Sequence, residues 1–228
     1  MTKTSLPLIL LTRPRAAAER FAATLQAARP ELEVLISPIM EIVYIRPANL
    51  PVADVLVFTS VHGVVGYMAA GGVAAEAYCV GLATAEAARV AGCSVIAVEK
   101  DAATLGPLLA GETRRVLHPR GAHVAADLTQ VASDLESVVV YDQPLVGLSD
   151  IAKVALGTER HVIVPLFSPR SAAAFAGEAE GAKALSAVFI SAAAQAAARD
   201  MPCEASLVAL TPDAAGMTEA TLRLIDRV

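Results

Sequence analysis

Short apolar runs that stop at hydroxyl residues recur along the chain, and apolar residues at helical spacing follow each one. The clearest lies between Asp54 and Gly63. Its apolar part, Val55 to Phe58, is continuous, rich in β-branched residues and not alternating, which is the pattern of a parallel strand buried on both faces. Thr59-Ser60 ends it, and Ser60 stands where a helix N-cap belongs, ahead of Val64, Val65, Tyr67 and Met68. The pattern returns between His161 and Ser171, where the run closes on Phe167-Ser168 and leads into Ala172, Ala173, Ala174 and Phe175. Each copy has an echo: Cys79 to Ala85 before a helix through Ala91, and Phe189 to Ala193 before a helix through Arg199. The repeat is too long for a solenoid, so the chain reads as two similar α/β domains. Strands that end in hydroxyls and open helices present free backbone N–H groups at the carboxyl edge of a sheet, where such folds bind ligands and where anions are favoured.

The remaining elements fall around these copies. Leu8 to Thr12 reads as a strand, and Pro14 suits the first turn of a helix that reaches about Ala28. Glu33 to Ser37 is a second strand, followed by a β-rich connector from Ile39 to Ile45. Leu105 to Ala110 suggests a short helix, Arg115 to Gly121 strand and turn, Val124 to Leu135 a helix, and Val138 to Tyr141 a strand. Ser149-Asp150 can cap a helix through Leu156. Pro165 inside the strand Val162 to Phe167 predicts a distortion or a sheet edge, because proline gives no donor to a ladder. Val188 to Ile190 and Ser206 to Leu210 are the last strands, and Thr211-Pro212-Asp213 opens a final helix from Ala214 to Leu224.

Composition narrows the class. In 228 residues, 55% are hydrophobic but only 4% aromatic, with no Trp, so the core is built from Ala, Val and Leu. No apolar run reaches the roughly 18 residues of a membrane span. The N-terminal stretch lacks the features of a signal peptide, and the expected compartment is the cytoplasm. Cys79, Cys93 and Cys203 lack metal-ligand spacing and read as buried free thiols. A formal net charge of −5 speaks against nonspecific nucleic-acid binding and leaves room for an anionic small molecule in a local pocket.

The ordered set Leu11-Thr12-Arg13-Pro14, Phe58-Thr59-Ser60, Val80-Gly81 with Ala83-Thr84-Ala85, His118-Pro119-Arg120-Gly121, Val140-Tyr141 and Phe167-Ser168-Pro169-Arg170-Ser171-Ala172 resembles that of the uroporphyrinogen-III synthase family, over essentially the whole chain. The resemblance implies two flavodoxin-like parallel-sheet domains with a cleft between them. One would be discontinuous, residues 1–38 with 146–228; the other would be residues 44–140. Linker strands at 37–45 and 138–145 would join them. It implies an enzyme, a lyase that cyclises the linear tetrapyrrole hydroxymethylbilane with loss of water and inversion of ring D. No cofactor and no metal are implied, and the expected partner is the small-molecule substrate alone, with neither nucleic acid nor membrane. The protein is expected to be a monomer.

The same resemblance makes Tyr141 the catalytic candidate, facing the cleft as the proton donor to the leaving hydroxyl. It makes Arg13, Thr59, Ser60, Gly81, Thr84, Arg120, Gly121, Ser168, Arg170, Ser171 and Ser191 candidates for substrate binding. Each has a plainer reading. Ser60 and Ser168 can simply cap helices, Arg13 can close its own loop, and Tyr141 can be a packed aromatic with a wet hydroxyl. His62 stands where the family more often has Asn and carries no catalytic weight. His118 and His123 are not spaced to share a metal on one helix face. Two other functions compete: a two-lobed ligand-binding protein without chemistry, and a regulatory pair of flavodoxin-like modules. The first lacks an export signal here, and the second lacks an acidic pocket, since Asp54 sits at the wrong end of its strand.

Overall fold

The structure is a computed structural model that describes residues 6–123, 128 and 135–228. Along the chain come β1 (Leu8–Leu11), α1 (Arg15–Ala28), β2 (Val34–Ile36), β3 (Val43–Tyr44), β4 (Val55–Phe58), α2 (Val61–Ala69), β5 (Glu76–Val80) and α3 (Leu82–Val90). Then follow β6 (Ser94–Glu99), α4 (Ala102–Ala110), β7 (Val116–Gly121), β8 (Leu135–Asp142), α5 (Asp150–Leu156), β9 (Val162–Leu166) and α6 (Pro169–Glu178). The last elements are β10 (Leu185–Phe189), α7 (Ala192–Ala197), β11 (Ala205–Val208) and α8 (Ala214–Ile225). The helix expected from Val124 onward lies outside the described residues, except for Leu128, which is buried, and Leu135, its expected end, which begins β8. Among the described residues no helix is long and apolar enough to cross a membrane.

The chain forms two compact units, one running up to Glu41 and resuming over Leu145–Val228, the other Ile42–Pro144. The first holds a five-stranded parallel sheet in the order β11-β10-β9-β1-β2. Its three central strands, β1, β9 and β10, are buried on both faces. In β1, Leu8 and Leu10 point into one apolar cluster while Ile9 and Leu11 point into the other. Residues of α5, α6 and α7 fill the first cluster, and α1 with α8 fills the second. The second unit holds a six-stranded sheet, β3-β8-β7-β4-β5-β6, parallel except for β3 against β8. Leu56 and Phe58 face α2 and α3, and Val57 faces α4. Continuous apolar runs are what such double burial demands. The stretch from Val138 onward is therefore a full member of this sheet as well as a connector.

Pro165 sits neither at an edge nor in a distortion, as the sequence had suggested. β9 is central, and its register with β10 runs unbroken from Leu185↔Val162 to Phe189↔Leu166. The Val162 N–H bonds to the Ala184 carbonyl on the β10 side, so by alternation Pro165 turns its nitrogen toward β1. The ladder to β1 pairs only Leu8↔Val162 and Ile9↔Ile163. The missing donor thus falls where no rung is made.

The two sheets share one spatial plan with different chain order. Read from one edge, the first sheet is β2-β1-β9-β10-β11 and the second, without β3, is β8-β7-β4-β5-β6. Both have three consecutive strands side by side after the central step. The first is the flavodoxin-type order, and the second is its circular permutation, with β7 and β8 in the places of β1 and β2. In each, the direction of winding reverses beside the central strand: between β1 and β9, and between β4 and β7. Those reversals are where open α/β sheets take ligands, at the carboxyl ends.

In the second unit α2 lies close on β7 and β8 through two glycines. A Cβ on Gly63 would stand 2.6 Å from the Pro119 carbonyl oxygen, and one on Gly66 would stand 2.5 Å from that of Val140. Gly66→Ala is therefore expected to lower unfolding free energy by about 1–3 kcal/mol, the cost of overpacking against backbone, even though Ala favours helix. Gly177→Ala, at an exposed position of α6, meets nothing within 4 Å; it should raise stability by roughly 0.5–1 kcal/mol. Urea unfolding of both variants checks the pair.

At the amino edge of the same sheet the Arg115 guanidinium grips Asp54, Nε on Oδ2 at 2.9 Å and Nη2 on Oδ1 at 2.8 Å. This contact holds the Asp54 carboxyl down at about 2. A depressed carboxylate stabilises the fold above its ordinary value and loses that contribution as pH falls from about 4 toward about 2. Arg115→Met should consequently show a smaller change in stability over that interval than the unaltered protein, as followed by acid unfolding.

Candidate functional site

The carboxyl edge of the second sheet gathers aromatic and imidazole side chains. Ser60 caps α2, its Oγ accepting the His62 N–H at 3.2 Å. Beneath that turn, Thr59 Oγ1 lies 3.1 Å from Nε2 of His118, which is only 2% exposed on β7. This contact spans the reversal between β4 and β7. The β7–β8 register slips by one residue after Arg120, so that Gly121 pairs with Tyr141. Such a slip re-aims a side chain, and the Tyr141 ring lies over Gly121, where an added Cβ would come 2.7 Å from Cζ. Tyr141 is 8% exposed. Tyr44 stands opposite it across the antiparallel β3–β8 pair. The His62 ring lies against both, with centroids 5.7 Å from Tyr141 and 6.1 Å from Tyr44, and the Tyr44 hydroxyl is 3.1 Å from His62 Nδ1. Burial, and behind it Tyr141, pushes the Tyr44 phenol up.

Other candidates of this unit are placed differently. Arg120 turns onto its own sheet, with Nε on Ser137 Oγ at 3.2 Å and Nη1 on the Gly121 carbonyl at 3.0 Å. Gly81 precedes α3 at φ 79°, a left-handed conformation that favours glycine, and it leaves the helix without a side-chain cap. Thr84 lies in α3 on its buried face, 5% exposed, so its side chain belongs to the packing of that helix.

The carboxyl edge of the first sheet is built around a cation. Arg13 follows β1, and its guanidinium carbon stacks 3.9 Å above the ring centroid of Phe167, the residue after β9. Phe167 meets Phe21 of α1 edge-on at 4.9 Å. The stack thus bridges the reversal between β1 and β9. Burial, and secondarily Arg20, pulls the guanidinium below its usual value. Among the described residues no carboxylate pairs with it. Ser168 caps α6 by accepting the Ser171 N–H at 3.0 Å, and Ser171 Oγ turns back onto the Ser168 hydroxyl and carbonyl, at 2.9 and 3.0 Å. Ser191 caps α7 in the same way, accepting from Ala194 N–H. Arg170 stands half-buried in the first turn of α6. Among the described residues no three His, Cys, Asp or Glu side chains gather to hold a metal. Cys79 and Cys93 are buried thiols, but Cys203, expected to be buried as well, is exposed in the turn before β11, its Sγ on the Ala205 carbonyl at 3.0 Å.

The sequence profile described as Uroporphyrinogen-III synthase HemD matches residues 19–219. The chain belongs to the uroporphyrinogen-III synthase family. Solved structures of this family share the fold. Uroporphyrinogen-III synthetase from Helicobacter pylori 26695 superimposes with a TM-score of 0.69 at 19% identity, covering 96% of this chain and 100% of that one. A mutant uroporphyrinogen III synthase from the extremely thermophilic bacterium Thermus thermophilus gives 0.56 at 16% identity, covering 97% and 100%. No curated protein sequence matches.

Within this synthase-family chain, the structure brings Thr59, Ser60, Gly121 and Tyr141 to one edge and Arg13, Ser168, Ser171 and Ser191 to another. Sequence reading gave no weight to His62 and did not select Tyr44 or His118. Tyr44 sits in a connector and His62 near a helix start, and only the β3–β8 pairing brings them together. The unbranched face at Gly121 is what admits the Tyr141 ring. Gly121→Ala should expel that ring and lower unfolding free energy by about 1–3 kcal/mol. Gly181→Ala, with open space around it, should leave the urea midpoint nearly unchanged.

Proposed function

We propose that this chain is a uroporphyrinogen-III synthase, a lyase that closes hydroxymethylbilane into uroporphyrinogen III. The observation that carries the proposal is the family match over residues 19–219. In the proposed reaction the hydroxymethyl oxygen takes a proton and leaves as water, giving an azafulvenium-type cation. The substituted carbon of ring D attacks it to form a spiro intermediate. That intermediate fragments and recloses at the free carbon of ring D, which gives up its hydrogen as a proton. One water is lost and no electrons are exchanged. The protein works without a cofactor, as a cytoplasmic monomer acting on a small molecule.

The residues are assigned accordingly. Tyr141 donates the proton to the departing hydroxyl through its phenolic O–H. Arg13 takes a substrate carboxylate, because a half-buried guanidinium gains most from an anion when no protein carboxylate holds it. The uncapped start of α3 at Gly81 and the capped turns at Ser60, Ser168 and Ser191 offer backbone N–H groups to others. Thr59, Thr84, Arg120, Gly121, Arg170 and Ser171 act through these turns, by shaping them rather than by charge alone.

Freshly made hydroxymethylbilane also closes spontaneously without inversion, so the isomer formed is the decisive readout. Incubation with the protein, oxidation and separation of porphyrin isomers should give the inverted isomer; the uninverted isomer alone would refute the proposal. Tyr141→Phe keeps the ring and should fold normally, but form the inverted isomer on the order of 10²-fold more slowly, with the product shifting toward the uninverted one. Ser60→Ala and Ser168→Ala should each cost less, chiefly about 1 kcal/mol of capping. Full rate and isomer purity in Tyr141→Phe would make Tyr141 structural.

A further inference from the structure

Phe167 is a large aromatic residue that the core of the first unit does not fully absorb. It follows β9 and is half-buried, with part of its surface against the apolar cluster that α1 and α8 fill. Phe21, 3% exposed on α1, meets it with the two rings at 85° and their centroids 4.9 Å apart. That contact anchors the Phe167 ring from the core side. Over its face lies the Arg13 guanidinium, with Cζ 3.9 Å from the centroid.

An arginine can be held in place by a carboxylate or by carbonyl oxygens, and either one uses its N–H groups. Arg120 of the second unit is held that way, with Nε on Ser137 and Nη1 on the Gly121 carbonyl. An aromatic face holds the guanidinium by its flat side and uses none of the five N–H donors. Among the described residues no hydrogen bond or ion pair takes a donor of Arg13. The nearby acceptors are committed elsewhere: Glu19 lies 3.8 Å from Arg15, and Ser168 and Ser171 bond to each other. The charge that acts on Arg13 from α1 is a like one, that of Arg20. The N–H rim of Arg13 is thus held in place and unspent, beside the reversal between β1 and β9.

A carboxylate bound by both arms of a guanidinium must lie in its plane, so whatever fixes that plane fixes how the carboxylate approaches. We propose that Phe167 is a positioning residue: it sets the plane in which Arg13 receives a substrate carboxylate, and so the way the carboxylated rim of the substrate lies on the first sheet. This inference rests on the synthase reading and adds to it a residue that the sequence did not single out. Phe167 acts only through Arg13, which makes the two side chains one unit in binding.

Initial rates of the inverted isomer against the concentration of freshly made hydroxymethylbilane test this, in unaltered protein, Phe167→Leu, Phe167→Tyr, Arg13→Met, Arg13→Lys and the double variant Phe167→Leu with Arg13→Met. Phe167→Leu should raise KM about 3- to 30-fold and leave kcat nearly unchanged. A purely structural loss would do the reverse, shrinking the folded fraction and kcat while KM stays. Phe167→Tyr keeps the ring face and should restore KM to within about 2-fold. Arg13→Met should raise KM at least as far as Phe167→Leu, and the double variant should match Arg13→Met, because a ring that acts through the guanidinium has nothing to add once it is gone. An unchanged KM in Phe167→Leu overturns the inference. So does a Phe167→Tyr protein as impaired as Phe167→Leu, or a double variant in which the two effects multiply. If Phe167→Leu does not fold, Arg13→Lys decides: it keeps the charge but not the planar fork, so a KM close to that of Arg13→Met supports the inference and an unaltered KM overturns it. Unaltered protein that yields only the uninverted isomer refutes the synthase reading and this inference together; the inverted isomer with a KM that Phe167→Leu does not move refutes this inference alone.

Discussion

The approach of α2 to β7 and β8 sets the geometry of the second unit. It depends on side chains that are missing. Gly63 and Gly66 lie one turn apart and face the carbonyls of Pro119 and Val140. A methyl group at either position would push the helix outward. Because α2 sits close, Ser60 can cap it directly beyond β4, and His62 reaches Tyr44 and Tyr141 across two strands. Gly121 extends the same logic to the sheet itself, admitting a ring where a side chain would stand. Packing density leaves no slack for alternatives at such contacts.

Double burial then decides where chemistry can occur. The central strands of the parallel sheets, β1, β9, β10 and β4, spend their side chains on one apolar cluster or the other. Polar groups are tolerated at strand ends, and each sheet concentrates them where its winding reverses. The circular permutation between the sheets preserves that point while changing which residues arrive there. In one sheet it receives Arg13 and Phe167, in the other Thr59 and His118. A shared plan thus yields one cationic edge and one aromatic, imidazole-bearing edge.

What was legible in the sequence follows this division. Apolar runs such as Val55 to Phe58 announced their strands, and Ser60 and Ser168 announced their caps, because strand burial and capping are local in sequence. The family was legible too, from the ordered motifs. Strand order was not, and Pro165 shows why: its cost depends on which neighbour its nitrogen faces, which no local pattern encodes. Thr84 looked like an edge hydroxyl, but helix phase turns it into the packed face of α3. His62, Tyr44 and Tyr141 are far apart in the chain, and their meeting depends on β3 pairing antiparallel with β8.

The capping roles also bear on how an acidic protein could hold an anionic substrate. A serine Oγ that accepts a helix N–H has committed one of its two acceptor lone pairs to the protein, and Ser171 has turned its donor inward as well. The hydroxyls therefore order the turns more than they bind. On the proposed reading, attraction for substrate carboxylates falls to the remaining N–H groups and to Arg13. That guanidinium already bears the cost of partial burial, offset only by the Phe167 face. A cation partly desolvated without a counter-charge gains more from a carboxylate than an exposed one would, because part of its desolvation has already been met when the anion arrives. On the proposed reading, the net charge of −5 keeps the rest of the surface from competing for the substrate, and the single stacked arginine sets the first sheet's share of its orientation.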